Sequence, residues 1–124
     1  MIIMKTELVF YDQNGRPIAY CEDGEYIYLY SGTPVAYFYE DSIYSFKGKH
    51  LGRFSDGWLR DNDGNCALFT EDATSGVMKP MRKMRPIKKI KKVKPMKSIK
   101  KMKPMKKINK RSWSSYSSEL FFDQ

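Results

Sequence analysis

The chain has 124 residues, two cysteines and a formal net charge of +9, which is compatible with one small domain. The charge is divided unevenly: residues 1–77 hold six basic and twelve acidic residues, and residues 78–124 hold seventeen basic and two acidic ones, so the two parts carry −6 and +15. No apolar run approaches the ~20 residues of a membrane-spanning helix. Without a signal-peptide pattern, we expect a cytoplasmic protein with Cys21 and Cys66 reduced and buried.

The first 77 residues contain four similar units, anchored by glycines at positions 15, 32, 48 and 64. The spacing of about 16 residues fits one β-hairpin per unit, and the stretch Met1–Phe10 is expected to supply the first strand. Asn14-Gly15 and Asp63-Gly64 predict type I′ turns, in which both central residues have positive φ. No helix is predicted before Val77.

Because a single hairpin is barely stable, the four units are expected to share one core. The third residue after each glycine is apolar and is assigned to the centre: Ile18, Val35, Leu51 and Ala67. We therefore predict an all-β fold of four short β-hairpin repeats in a pseudo-fourfold flower or shallow barrel, followed by an extended basic tail. The predicted divisions are a domain of four ~16-residue β-hairpin repeats over 1–77, a basic tail over 78–111 and a Ser/aromatic segment over 112–124.

The run from Gly48 to Cys66, GKHLGRFSDGWLRDNDGNC, together with Tyr11-Asp12 and Pro17–Tyr20, resembles the bacterial 4-fold β-flower domain family. The basic extension that ends in Arg111–Ser115 also looks like tails in that family. The resemblance implies hairpin petals around a largely apolar centre. It implies no activity and no catalytic residues.

Catalytic and metal-binding patterns are weak. His50 shares its repeat position with Pro17, Pro34 and Cys66, and a His/Cys pair is two ligands short of a structural zinc site, so the four residues are interpreted as equivalent strand-start positions. The segment starting at Asp61 opens like a calcium loop, but it lacks a flanking helix and the final Glu, so a turn is favoured. We expect no enzyme activity, no metal and no cofactor.

The basic tail has a strict period of three, because eleven apolar residues occur at every third position. We call this row the ridge: Met78, Met81, Met84, Ile87, Ile90, Val93, Met96, Ile99, Met102, Met105 and Ile108. In an α-helix a step of three would spread these residues around the whole circumference, whereas polyproline II has three residues per turn and tolerates the four prolines of the tail. The period therefore predicts an extended ribbon with one apolar edge.

Four roles fit such a ribbon. It could be a solvated, disordered tail. It could lie on an anionic membrane or bind along nucleic acid, and we favour the membrane because residues 78–111 lack aromatic side chains for base stacking. It could also dock on the acidic flower of its own or of a neighbouring chain, as an assembly element of a homo-oligomer. The predicted anionic-surface residues are Lys79, Arg82, Lys83, Arg85, Lys88, Lys89, Lys91, Lys92, Lys94, Lys97, Lys100, Lys101, Lys103, Lys106, Lys107, Lys110 and Arg111.

The C-terminal segment is rich in aromatic residues that would be costly to expose. Trp113, Tyr116, Phe121 and Phe122 are predicted either to dock on a flower or to anchor the chain in a membrane interface. A protein peripheral at the membrane would then be held by both tail and terminus. A third, rarer hypothesis is a small apolar ligand at the centre of the flower.

Overall fold

The computed structural model describes residues 7–124, and it is all-β apart from one short 3₁₀ helix near the C-terminus. The strands are β1 Leu8–Tyr11, β2 Pro17–Cys21, β3 Tyr26–Leu29, β4 Pro34–Tyr39, β5 Ser42–Tyr44, β6 His50–Ser55, β7 Trp58–Asp61 and β8 Cys66–Phe69. The helix η1 spans Glu119–Asp123. The part of the predicted first strand that precedes residue 7 lies outside the described residues.

The eight strands form a closed antiparallel barrel in which each strand pairs with its neighbours in sequence. The closing pair, β1 with β8, meets at Tyr11 and Phe69. Closure leaves no open sheet edge among these strands, which removes a common route to aggregation. The predicted all-β fold of four hairpins is confirmed.

The fourfold repeat is visible in the hydrogen bonds of the turns. In the first hairpin Gly15 N–H donates to Asp12 O, and Asp12 N–H donates to Arg16 O, both at 2.9 Å. The same two bonds recur at the tips around Gly32, Gly48 and Gly64. Each of these tips also coincides with a β-bulge. We call these four turns the hairpin tips.

The turn type at these tips was predicted wrongly. Only the glycine has positive φ, +79° at Gly15 and +88° at Gly64, so Asn14 and Asp63 are not in the left-handed region. The loop has three residues, with a type I turn followed by a glycine bulge, instead of a two-residue type I′ turn. Positive φ at both central residues occurs at Asp56-Gly57, between the paired Ser55 and Trp58.

The four residues at equivalent repeat positions were predicted to start strands, and this prediction is confirmed: β2, β4, β6 and β8 begin at Pro17, Pro34, His50 and Cys66. The residues predicted for the apolar centre lie in or against the main core. Ile18, Leu51 and Ala67 are buried within it, and Val35 is partly buried against it.

Alternation along the strands separates an inner apolar face from an outer tyrosine-rich face. In β2, Ala19 and Cys21 belong to the inner cluster and Tyr20 to an outer one. Equivalent outer positions hold Tyr11, Tyr28, Tyr37 and Tyr44. The barrel therefore presents aromatic rings on its outside, which must be covered by another part of the chain.

The C-terminal segment completes the core. Phe121 is fully buried and packs in the main cluster with Phe122, and Trp113 forms a parallel bridge with Cys66 at the start of β8. The core therefore draws on residues far beyond Val77, although composition changes sharply there.

Candidate functional site

The tail is fastened to the four hairpin tips in a repeating manner. Lys101 N–H, for example, donates to Gly48 O at 2.8 Å. The matching donors are nine residues apart along the tail: Lys83 to Gly15, Lys92 to Gly32, Lys101 to Gly48 and Lys110 to Gly64, at 2.8–2.9 Å. One nine-residue unit of the tail thus serves each hairpin of about 16 residues.

The tip glycines have a second role in this contact. A Cβ added at Gly48 would overlap the backbone carbonyl of Ile99, and the same overlap would occur at Gly15 with Met81. Glycine therefore satisfies the positive φ of the turn and also leaves room for the tail backbone.

Tail positions that begin at Pro80 and recur every three residues form what we call the donor row: Pro80, Lys83, Pro86, Lys89, Lys92, Pro95, Ser98, Lys101, Pro104, Lys107 and Lys110. The two middle units each supply a second bond, from Lys89 N–H to Tyr30 O at 3.0 Å and from Ser98 N–H to Phe46 O at 2.8 Å. Each nine-residue unit has three donor-row positions, and the middle one is a proline: Pro86, Pro95 and Pro104. Because proline has no N–H, it fits the part of the unit that makes no such bond.

The remaining row, which we call the inner row, faces the outer tyrosines: Lys79, Arg82, Arg85, Lys88, Lys91, Lys94, Lys97, Lys100, Lys103 and Lys106. Lys97 Nζ lies 4.4 Å from the centroid of the Tyr37 ring, and Lys88 Nζ lies 4.6 Å from that of Tyr20. Such cation–π contacts contribute roughly 0.5–1 kcal/mol each at exposed sites. The inner row therefore covers the aromatic outer face of the barrel.

The inner row also pairs with carboxylates of the flower. Glu22 contacts both Lys88 and Lys91, and Lys97 pairs with Glu25 at 2.8 Å. Hydrogen bonds from Lys88 and Lys91 hold the pKa of Glu22 below its usual value. The hydrogen bond to Glu22 raises the pKa of Lys91. The acidic flower thus offsets part of the positive charge of the basic tail within one chain.

The sector near β6 and β7 uses the opposite arrangement, with arginine on the flower and carbonyl groups on the tail. Arg53 donates to Pro104 O and Arg60 to Lys110 O, both at 2.6 Å. Within residues 7–124, Lys103 and Lys106 of the inner row make neither an ion pair nor a ring contact with the barrel.

The ridge points away from the flower. Its eleven side chains are 82–94% exposed, while the inner and donor rows hold the ribbon in place. No regular helix or strand occurs over 78–110, and the contacts of the tail repeat every three residues, as a polyproline II ribbon requires. The molecule therefore presents a continuous, fixed row of aliphatic and thioether groups to its surroundings, which is our candidate functional site.

The predicted C-terminal anchors do not act together. Phe121 and Phe122 are buried in the core and cannot reach a membrane interface in this conformation, because they fill the space that the short hairpins leave inside the barrel. Trp113 packs against Trp58 with a 5.6 Å centroid distance. Trp113 is therefore partly buried, and Tyr116 is 39% exposed.

The residues that were considered for metal binding have structural roles. His50 accepts or donates two side-chain hydrogen bonds, with Asn62 at 2.8 Å and Ser42 at 2.9 Å, and burial lowers its pKa. Asp61 Oδ1 accepts backbone N–H groups of Asp63 and Asn65, as in an Asx turn. Among residues 7–124 no cluster of ligands suited to a metal ion is found.

Phe121 and Phe122 together form a plug of the barrel, and two small clefts border it at Phe122. The larger, about 320 Å³, is lined by residues that include Val35, Phe46, Met96 and Phe122. The fully buried Phe121 fills the centre of the barrel. The third hypothesis had placed a small apolar ligand there.

Sequence reasoning found the period of three but missed the unit of nine. The signal was present in Pro86, Pro95 and Pro104, which repeat every nine residues while the hairpins repeat every 16. The tyrosines on alternate strand positions were a second signal, since they needed a cover.

These features define a class of protein: a closed barrel of four hairpins enclosed by its own C-terminal ribbon. A family described as 4-fold beta flower protein matches residues 9–122, which include both barrel and ribbon. The chain belongs to this family. Neither curated proteins nor solved structures give a significant match. No helix in the described part of the chain is long and apolar enough to cross a bilayer.

Proposed function

We propose that this protein is a non-enzymatic binding module that docks on an anionic bilayer surface through the ridge. The observation that carries the proposal is the 82–94% exposure of eleven consecutive ridge residues on a ribbon that is otherwise fastened at every unit. Exposed apolar rows of this length usually mark a binding surface.

The chemistry of the row fits a lipid interface. Met, Ile and Val side chains gain free energy when they enter the acyl boundary, and neighbouring lysines gain about 1 kcal/mol each near anionic headgroups. Nucleic acid is the poorer fit, because the ridge offers no aromatic side chain on which bases can stack.

Vesicle binding tests the proposal. The triple variant I87S/I90S/I99S removes three ridge side chains that are 90–93% exposed, so the fold should be kept. If each contributes roughly 1 kcal/mol on partial insertion, partitioning to vesicles of mixed zwitterionic and monoanionic lipid should fall roughly 100-fold.

The matched control is L120S, which removes a side chain that is 57% exposed but lies outside the ridge. Its partitioning should equal that of the unaltered protein. Equal partitioning of the triple variant and the unaltered protein would refute the proposal.

A second candidate is self-assembly, which the same ridge favours because two ridges could cover each other. Light scattering distinguishes the two. An oligomer whose mass falls to that of a monomer in I87S/I90S/I99S, without binding to vesicles, would favour assembly.

A further inference from the structure

The basic residues of the tail have two different environments. In the inner row, the eight residues from Lys79 to Lys100 each contact the flower through a carboxylate, a carbonyl or a tyrosine ring. Their charge is used within the molecule. They stabilise the wrapped tail and are poorly placed to attract an external anion.

The lysines of the donor row are different. Lys83, Lys89, Lys101 and Lys110 make no ion pair or ring contact through their side chains with any residue in the described range 7–124. Of the other two, Lys92 reaches only the hydroxyl of Thr33 at 3.4 Å, and Lys107 pairs with the exposed Asp63. The backbone of the row is fixed, while most of its ammonium groups remain available.

The available ammonium groups are distributed and not gathered into one pocket. Lys83, Lys92, Lys101 and Lys110 are each tied by the backbone to a different hairpin tip. The nine residues between these lysines have a contour length of roughly 28 Å along the extended ribbon, whereas an ion pair needs contact within ~4 Å. Lysines bound to different tips are therefore poorly placed to converge on a single multivalent headgroup.

We infer that the donor-row lysines form a distributed sensor of surface charge, which binds bilayers of monoanionic lipid according to their charge density and without selection of a headgroup. This inference rests on the proposed function, since it specifies the lipid class that the ridge would meet. It also assigns the attraction to the lysines of the donor row instead of the eight inner-row residues that contact the flower.

Two double variants with the same loss of charge test the assignment. K83Q/K101Q removes two free donor-row ammonium groups and keeps both backbone bonds. K94Q/K100Q removes two inner-row charges that lie over tyrosine rings of the barrel, 4.6 Å from the centroid of Tyr26 and 4.4 Å from that of Tyr39. At low salt, the first should weaken binding to phosphatidylglycerol-containing vesicles about 25-fold, and the second less than threefold.

A second experiment tests headgroup selection by comparing two vesicle types of the same zeta potential. One contains phosphatidylglycerol, and the other contains phosphatidylinositol bisphosphate in a neutral background. Equal binding to the two is expected. More than tenfold tighter binding to the phosphoinositide, or equal weakening by the two double variants, would overturn the inference while the proposed function stands. Absence of binding to every vesicle would overturn both.

Discussion

Substitution of glycine by alanine at two positions should separate the free-energy cost of a non-glycine residue at positive φ from the cost of displacing the tail. Gly48 and Gly24 both have positive φ, +89° and +78°. A Cβ at Gly48 would overlap the carbonyl of Ile99 in the tail, whereas a Cβ at Gly24 would have no heavy atom within 4 Å. Both variants incur about 1–2 kcal/mol for a non-glycine residue at positive φ.

G48A should be destabilised further, because the tail must move away from this tip. The displacement would break the bonds from Lys101 N–H to Gly48 O and from Ser98 N–H to Phe46 O, both 2.8 Å long. At about 0.5–1.5 kcal/mol for each bond, the extra loss is about 1–3 kcal/mol. Urea-induced unfolding of both full-length variants measures it as a difference in the free energy of unfolding. Equal destabilisation of G48A and G24A would show that the tail is not fastened at this tip.

Two further predictions test the plug and the electrostatic fastening. Phe121→Ala should lower the free energy of unfolding by about 3–5 kcal/mol, because the ring is fully buried. Leu120→Ala, at a 57% exposed position, should change it by less than about 0.5 kcal/mol. Chemical denaturation measures both values, and equal losses of unfolding free energy in the two variants would contradict the placement of the plug. Because the pKa of Glu22 is lowered by Lys88 and Lys91, its contribution is present above the usual value of 4.5 and is lost as the pH falls through the folded-state pKa. E22Q should therefore be less stable than the unaltered chain at pH 7, by up to about 1 kcal/mol and less in high salt. The two should converge once the pH is below the folded-state pKa of Glu22, and a difference that persists there would argue against the ion pairs.

The barrel was largely predictable because its information is local. Glycine spacing and the column of Pro17, Pro34, His50 and Cys66 identified the strand starts that the structure has. The turn type failed because Asn-Gly occurs in two-residue type I′ loops and also in three-residue loops with a glycine bulge. The two loops differ by one residue, and only the strand register distinguishes them.

The arrangement of the tail was less predictable because it depends on contacts between distant parts of the chain. The period of three indicated an apolar edge but not its direction, which is set by the tyrosines and glutamates of the barrel. Phe121 was predicted to dock on a flower or to enter a membrane interface, and not to fill the core, because an aromatic terminus has no local pattern that indicates a core position. Its placement depends on how much space four short hairpins leave inside.

The outward direction of the ridge follows from the surface of the barrel. That surface is rich in tyrosine rings and carboxylates, both of which attract ammonium and guanidinium groups, so the inner row must be basic. A three-residue ribbon has only two other rows, and the donor row is fixed by its hydrogen bonds to the hairpin tips. The apolar row is therefore left outside, where a soluble ribbon would gain more from polar residues. Eleven apolar residues without interruption in that row are not needed to hold the tail, and a surface that covers them gives them a physical role.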